Sequence, residues 1–195
     1  MSVQELDRAR LDTVDYSALT LARWLRDSDS FTDTVDRWLS TPTGFVLTDQ
    51  ELVRLDPEHE QRDAAEAEAL ELRRGDHVLR RAGLLMMESW GEELVLAEVS
   101  ATVAFLRLPT RVRVGLEDGE MPLGRLLKPF GVRRHTYSVA RIDEEGARGG
   151  RRVQRVRAGL TVTGFLVAVV EEDIHRQLFE HRVPAQVGWA APSGR

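Results

Sequence analysis

Two adjacent carboxylates close a run of six apolar residues in FLVAVVEEDIH, residues 165–175. An apolar run of this kind marks a strand covered on both faces. Successive strand side chains point to opposite faces, so Glu171 and Glu172 cannot look the same way. A carboxylate turned into a closed apolar space has its pKa raised by desolvation, which suits it to meet a hydroxyl or to move a proton. Leu166, Ala168, Val170 and Glu172 share one face; Phe165, Val167, Val169 and Glu171 share the other. Both faces are apolar, so alternation does not choose between the two glutamates.

Three further stretches carry groups suited to holding an anion. Arg80-Arg81 lies inside the apolar strand HVLRRAGLLMM, residues 77–87. One of the pair must face inward, where a guanidinium is costly unless it meets an anion. It would grip a carboxylate at two points, or pair with one of the sheet's own glutamates. Asp29-Ser30-Phe31-Thr32 opens a helix, and the unsatisfied backbone N–H groups there favour an anion. Ser30 with Asp33 three residues on also reads as an ordinary N-cap. Met121-Pro122-Leu123-Gly124-Arg125 is a turn that lets a ligand approach the backbone, or a helix start with Pro122 near its first position.

Other chemistries find little support. The chain has no cysteine, which removes disulfides, thiolate metal sites and a cysteine nucleophile. The five histidines, at 59, 77, 135, 175 and 181, never pair at i, i+4, so no metal site and no cofactor is expected. EEGARGGRR has the glycines of a phosphate loop but sits between strands and reads as a hairpin turn.

These residues must be positioned by one domain spanning 1–195, with its core between about 18 and 180 and loose tails. Residues 1–12 are polar and expected to fray; helical spacing starts near Leu19 and again at Ser30. Strands are expected at 44–55, 77–87, 94–109, 132–143, 151–163 and 165–175, with a helical segment at 110–131 broken at Gly119. The charged stretch 56–76 reads as a solvated surface segment. Helices first and hairpin-linked strands after predict an α+β fold, a single antiparallel β-sheet with helices packed on one side. The net charge of −5 argues against a nucleic-acid partner. No apolar run approaches the roughly 20 residues of a membrane span, and no secretory leader is visible, so no membrane partner and a cytoplasmic location are expected.

WLRDSDSFT at 24–32, VLRRAGLL at 78–85, PLGRLL at 122–127 and RVRAGLTVTGFLVAVVEED at 155–173 occur in an order that resembles the chorismate pyruvate-lyase family, over about Trp24 to Phe179. The resemblance implies a cofactor-independent carbon–oxygen lyase that removes pyruvate from chorismate and leaves 4-hydroxybenzoate. It implies Arg81 and Glu172 as the catalytic pair. Arg81 would hold the ring carboxylate together with the backbone at Ser30, Phe31 and Leu123, and Glu172 would meet the ring hydroxyl, leaving Glu171 to look outward. Arg80, Arg155 and Arg157 are candidates for a second carboxylate. Residues 27–43 would serve as a cover that excludes water. Related sheets occur in the UTRA effector-binding domains of transcription regulators, so the alternative is a non-catalytic small-acid-binding domain, or action on another cyclic carboxylate in secondary metabolism. Against a sensor stands the absence of a basic recognition helix in the roughly 40 residues ahead of the first strand.

Overall fold

In a computed structural model, which describes residues 3–55, 64–119 and 121–181, the chain orders six strands into one antiparallel sheet. The strands are β1 (Gly44–Arg54), β2 (His77–Ser89), β3 (Glu92–Ala104), β4 (Arg133–Glu145), β5 (Arg151–Val162) and β6 (Phe165–His175). Their order across the sheet is β1-β2-β3-β6-β5-β4, so β6 lies at its centre and β1 and β4 form its edges. The helices are α1 (Val3–Arg26), α2 (Phe31–Leu39), α3 (Ala64–Ala69), α4 (Thr110–Glu117), α5 (Leu123–Leu127) and α6 (Arg176–Glu180). Among the described residues no helix is long and apolar enough to cross a membrane.

The hairpins follow from backbone chemistry. Trp90 and Gly91 join β2 to β3 with φ of 56° and 81°, and Thr163 and Gly164 join β5 to β6 with φ of 52° and 85°. Two consecutive positive φ values match the twist of the flanking strands, and a glycine in the second place makes the turn easier to form.

One face of the sheet is covered by α1, α2, α4, α5 and α6, through two apolar clusters. Leu79, Val103, Leu116, Leu127 and Val170 pack beneath α4 and α5. Leu25, Val35, Trp38, Leu85 and Ile174 pack beneath α1, α2 and α6. Leu70, at the end of α3, lies against Ala104 and Val169 on the other face. This explains the unbroken apolar run of β6: its centre is covered on both sides.

Several boundaries differ from the sequence expectation. Helix α1 starts at Val3, well before Leu19, within the stretch expected to fray; a mostly polar helix presents no apolar stripe for spacing to reveal. Strand β3 ends at Ala104 and passes into a short 3-10 turn, Phe105–Arg107. The segment expected to be purely solvated holds α3 and the fully buried Leu70, while 56–63 lie outside the described residues, as does the tail beyond 181.

Candidate functional site

Between the two apolar clusters the sheet and helices leave a cavity of about 50 Å³. Its floor is β2, β3, β5 and β6, through Arg81, Leu85, Val99, Ala101, Leu160 and Val170. Its roof is the entry to α2, at Ser30, Phe31 and Thr32, and the Pro122-Leu123-Gly124 turn into α5. Ser30, Phe31, Arg81, Leu123 and Glu172, far apart in the chain, all line this one space. Gly83 helps to shape it: a Cβ there would stand 2.3 Å from Phe45 Cζ and 2.8 Å from the Val46 carbonyl oxygen, so only glycine lets Phe45 lie across β2 to reach the cavity.

The alternation of β2 separates its two arginines. Arg80 turns to the outer face and bonds Glu51 at 3.3 Å. Arg81 turns inward and is 4% exposed. Its Nη2 donates to the carbonyls of Gly119 and Met121 at 2.9 and 2.7 Å, and its guanidinium stands 5.1 Å from the Phe45 ring centre. Its Nε and Nη1 are buried and have no hydrogen-bond partner among the described residues. Burial pushes this guanidinium below its ordinary pKa. Buried, unpaired donors of a charged group are costly.

The α2 entry adds two more donors. Thr34 N–H makes the first intrahelical bond to the Ser30 carbonyl, and Asp33 N–H donates to Ser30 Oγ at 3.2 Å. The N–H groups of Phe31 and Thr32 remain outside both the ladder and the cap, at the positive end of the helix dipole. N-capping by Ser30 and an available anion-facing backbone therefore coexist.

Glu172 faces the cavity and Glu171 the opposite side of the sheet, where Arg155 and Arg157 stand 3.3 and 3.4 Å from it. Glu172 is held by Arg134, whose Nη2 donates to its Oε2 at 2.5 Å. Burial pushes the Glu172 carboxyl above the usual carboxylate range, and the Arg134 guanidinium pulls it part of the way back. Arg134 also donates from Nη1 to Thr136 Oγ1 at 3.0 Å, while its Nε has no partner among the described residues.

The sequence reading missed Arg134. The doublet Arg133-Arg134 in an edge strand carries the same signal as Arg80-Arg81: alternation must turn one of two adjacent arginines inward. Arg80, Arg155 and Arg157, expected to bind a second carboxylate, all lie on the outer face. Arg155 grips Asp173 through Nε and Nη2, both at 2.7 Å, and Arg157 bonds Glu66 at 2.6 Å. Among the described residues no three His, Asp or Glu side chains gather as metal ligands.

No protein-family model and no curated protein matches the sequence. Solved structures do. The effector domain of PhnF from Mycobacterium smegmatis matches with a TM-score of 0.53 at 13% identity, over 75% of this chain and 88% of that domain. Against the larger PhnF chain the TM-score and identity are the same, and the match spans 63% of its length. The ligand-binding domain of a GntR-family transcriptional regulator from Bordetella bronchiseptica matches at 16% identity and a TM-score of 0.48, over 68% of this chain and 85% of that one. At such identities the likeness is one of fold, and it agrees with the single sheet covered by helices on one face. The expectation of an enzyme, a carbon–oxygen lyase, is corrected by the match to PhnF: the solved structure that shares this fold is an effector domain, not a lyase.

Proposed function

We propose that this chain is a non-catalytic ligand-binding domain whose cavity takes a small organic acid with an apolar body. The observation that carries this reading is Arg81: a residue 4% exposed, with Nε and Nη1 unpartnered among the described residues, lining an apolar space. A carboxylate there would accept from the guanidinium edge and from the N–H groups of Phe31 and Thr32, converting unmet donors into charge-assisted hydrogen bonds. The charges lining the floor support a monoanion. Of the charged residues lining the cavity, Glu172 is paired with Arg134 and Asp29 with Arg133, and among the described residues no carboxylate pairs with Arg81. The Glu172–Arg134 pair faces the same space as a donor–acceptor couple suited to a hydroxyl on the ligand's far end.

The cavity has room for only a few waters, since one occupies roughly 10–15 Å³ by the same measure. A ligand of ring size enters by displacing the roof of the cavity.

The test is a melting-temperature screen of the full chain against benzoate, 4-hydroxybenzoate, chorismate and acyclic monocarboxylates, repeated with Arg81→Met. At least one acid should raise Tm in the wild type and fail to do so in the variant, with the acid recovered unchanged. An unmoved Tm across the panel, or a shift that survives loss of Arg81, sinks the reading.

A further inference from the structure

Arg81 spends one nitrogen on two acceptors. Its Nη2 carries two hydrogens, and they go to the carbonyls of Gly119 and Met121 at 2.9 and 2.7 Å. Both acceptors lie in the connection between α4 and α5. That connection leads into Pro122-Leu123-Gly124, the part of the roof contributed by α5. Arg81 stands on the floor, so this one nitrogen ties floor to roof.

The covalent geometry of a guanidinium then decides how an acid is held. The single hydrogen of Nε points to the side of Nη2, and Nη1 and Nη2 together form the end of the group. A carboxylate is gripped at two points by Nε with Nη2, or by Nη1 with Nη2. Both pairs contain Nη2. Nε and Nη1, buried without a partner among the described residues, point their hydrogens apart and cannot grip one carboxylate together. A two-point grip therefore takes a hydrogen of Nη2 away from one of the two carbonyls.

The two carbonyls differ in what that loss costs. The Gly119 bond is buried, and Gly119 is wedged against β1: a Cβ there would lie 2.9 Å from Leu47 Cδ2. A buried carbonyl stripped of its donor is costly. The Met121 bond is only partly buried, and Met121 is 44% exposed, so water can take the donor's place. Elsewhere the roof is tied to itself. Arg125 bonds Asp36 at 2.5 Å and Lys128 bonds Asp33 at 2.6 Å, which joins α5 to α2 rather than to the floor. Leu123 and Leu127 rest on the floor through apolar contacts.

We propose that the ligand's carboxylate displaces the Met121 carbonyl from Arg81 Nη2, so that binding the acid and loosening the α5 side of the roof are one event. This exchange rests on the reading of the cavity as an acid site. An acid held at two points makes its second charge-assisted bond only in the loosened state, which is the differential affinity that a population shift requires. An acid held through Nη1 alone leaves the tie intact.

The Met121 carbonyl can be followed by itself in nuclear magnetic resonance. Of the four methionines, Met121 alone precedes a proline. The full chain labelled with carbonyl-13C methionine and 15N proline therefore gives one carbon–nitrogen signal, from Met121-Pro122. Arg81→Met marks where that signal lies without the guanidinium. Benzoate, 4-hydroxybenzoate, chorismate and propionate are each added until Tm stops rising. With an acid that raises Tm, the signal should move upfield to the variant's position, while the Gly119 carbonyl, followed in the uniformly labelled chain, stays in place. If Arg81→Met does not fold, the direction alone decides, since a carbonyl carbon moves upfield when it loses a charged donor. A bound acid that leaves the Met121 signal unmoved, or moves that of Gly119 instead, overturns the exchange and leaves the acid site standing. No rise in Tm with any of the four overturns both.

Discussion

Arg134 reaches over β5 from the sheet edge to meet Glu172 at 2.5 Å, with only 1% and 3% of the two side chains exposed. Two charges taken this far from water are held by each other. Removing one strands the other, which costs about 3–5 kcal/mol, whereas removing both for well-packed apolar residues is often neutral. Glu172→Leu or Arg134→Met alone should therefore lower stability by that amount in urea unfolding. The double variant should recover most of the loss. Additive losses would show that the two residues act independently.

The raised pKa of Glu172 gives a pH dependence with a definite sign. Between the ordinary glutamate value, about 4.3, and its higher value in the fold, the native state keeps a proton that the unfolded chain releases. Over that window stability from this group falls as pH rises. Exposed paired carboxylates such as Asp143, lowered by the Arg151 bond, act in the opposite direction: their contribution is lost as pH drops through the acid range. Subtraction isolates the effect. The stability of the wild type minus that of Glu172→Gln should decline from pH 4 towards neutrality; a flat difference would contradict the burial argument.

Arg81 presents a planar fork, of which Nε and Nη1 are buried and unpaired among the described residues. Lysine would keep the charge and lose the fork. Arg81→Lys should remain folded yet bind the acid found in the screen at least about tenfold more weakly, as read by calorimetry. Wild-type affinity in the lysine variant would mean that charge alone is recognised.

Ser30 caps α2 through the bond from Asp33 N–H. Ser30→Ala should cost about 1 kcal/mol, a fall of roughly 2–4 °C in Tm for a chain of this length. Ser30→Gly should cost only a few tenths of that energy, and equal losses from the two would point to a role for Ser30 beyond the cap.

At the hairpin between β4 and β5, Gly150 meets the fully buried His175. A Cβ at Gly150 would lie 2.7 Å from His175 Cε1, although the φ of −71° suits any residue. Gly150→Ala should therefore destabilise by about 1–3 kcal/mol through overpacking. Truncating the ring in Gly150→Ala/His175→Ala should leave a smaller total loss than the sum of the two single changes.

Much of the architecture was legible in the chain. Period-two runs, hairpin glycines and the Ser30 cap are local chemistry, and local chemistry places the six strands and α2 near where they stand. The inward arginine of β2 was legible as a choice between two, because adjacent strand residues must face apart. The start of α1 and the burial of Leu70 were not, since neither shows in spacing: one helix segment is polar, and one leucine is buried by a partner 34 residues further on, at Ala104. The lyase expectation came from resemblance in short motifs. Those motifs do lie together around one cavity, but the fold they build is similar to that of the effector domain of PhnF.

What the sequence determined by itself was therefore the inventory: the strands, the hairpins, and the doublets Arg80-Arg81 and Glu171-Glu172. Tertiary structure alone decided partnership. It turned Arg81 and Glu172 to the covered face, assigned Glu172 to Arg134 and Glu171 to Arg155 and Arg157, and left Nε and Nη1 of Arg81 without an acceptor among the described residues. The physical reason is that alternation fixes only relative facing within a strand. Which face is buried, and which charge meets which, depends on the order β1-β2-β3-β6-β5-β4, in which the central strand is the last of the six in the chain.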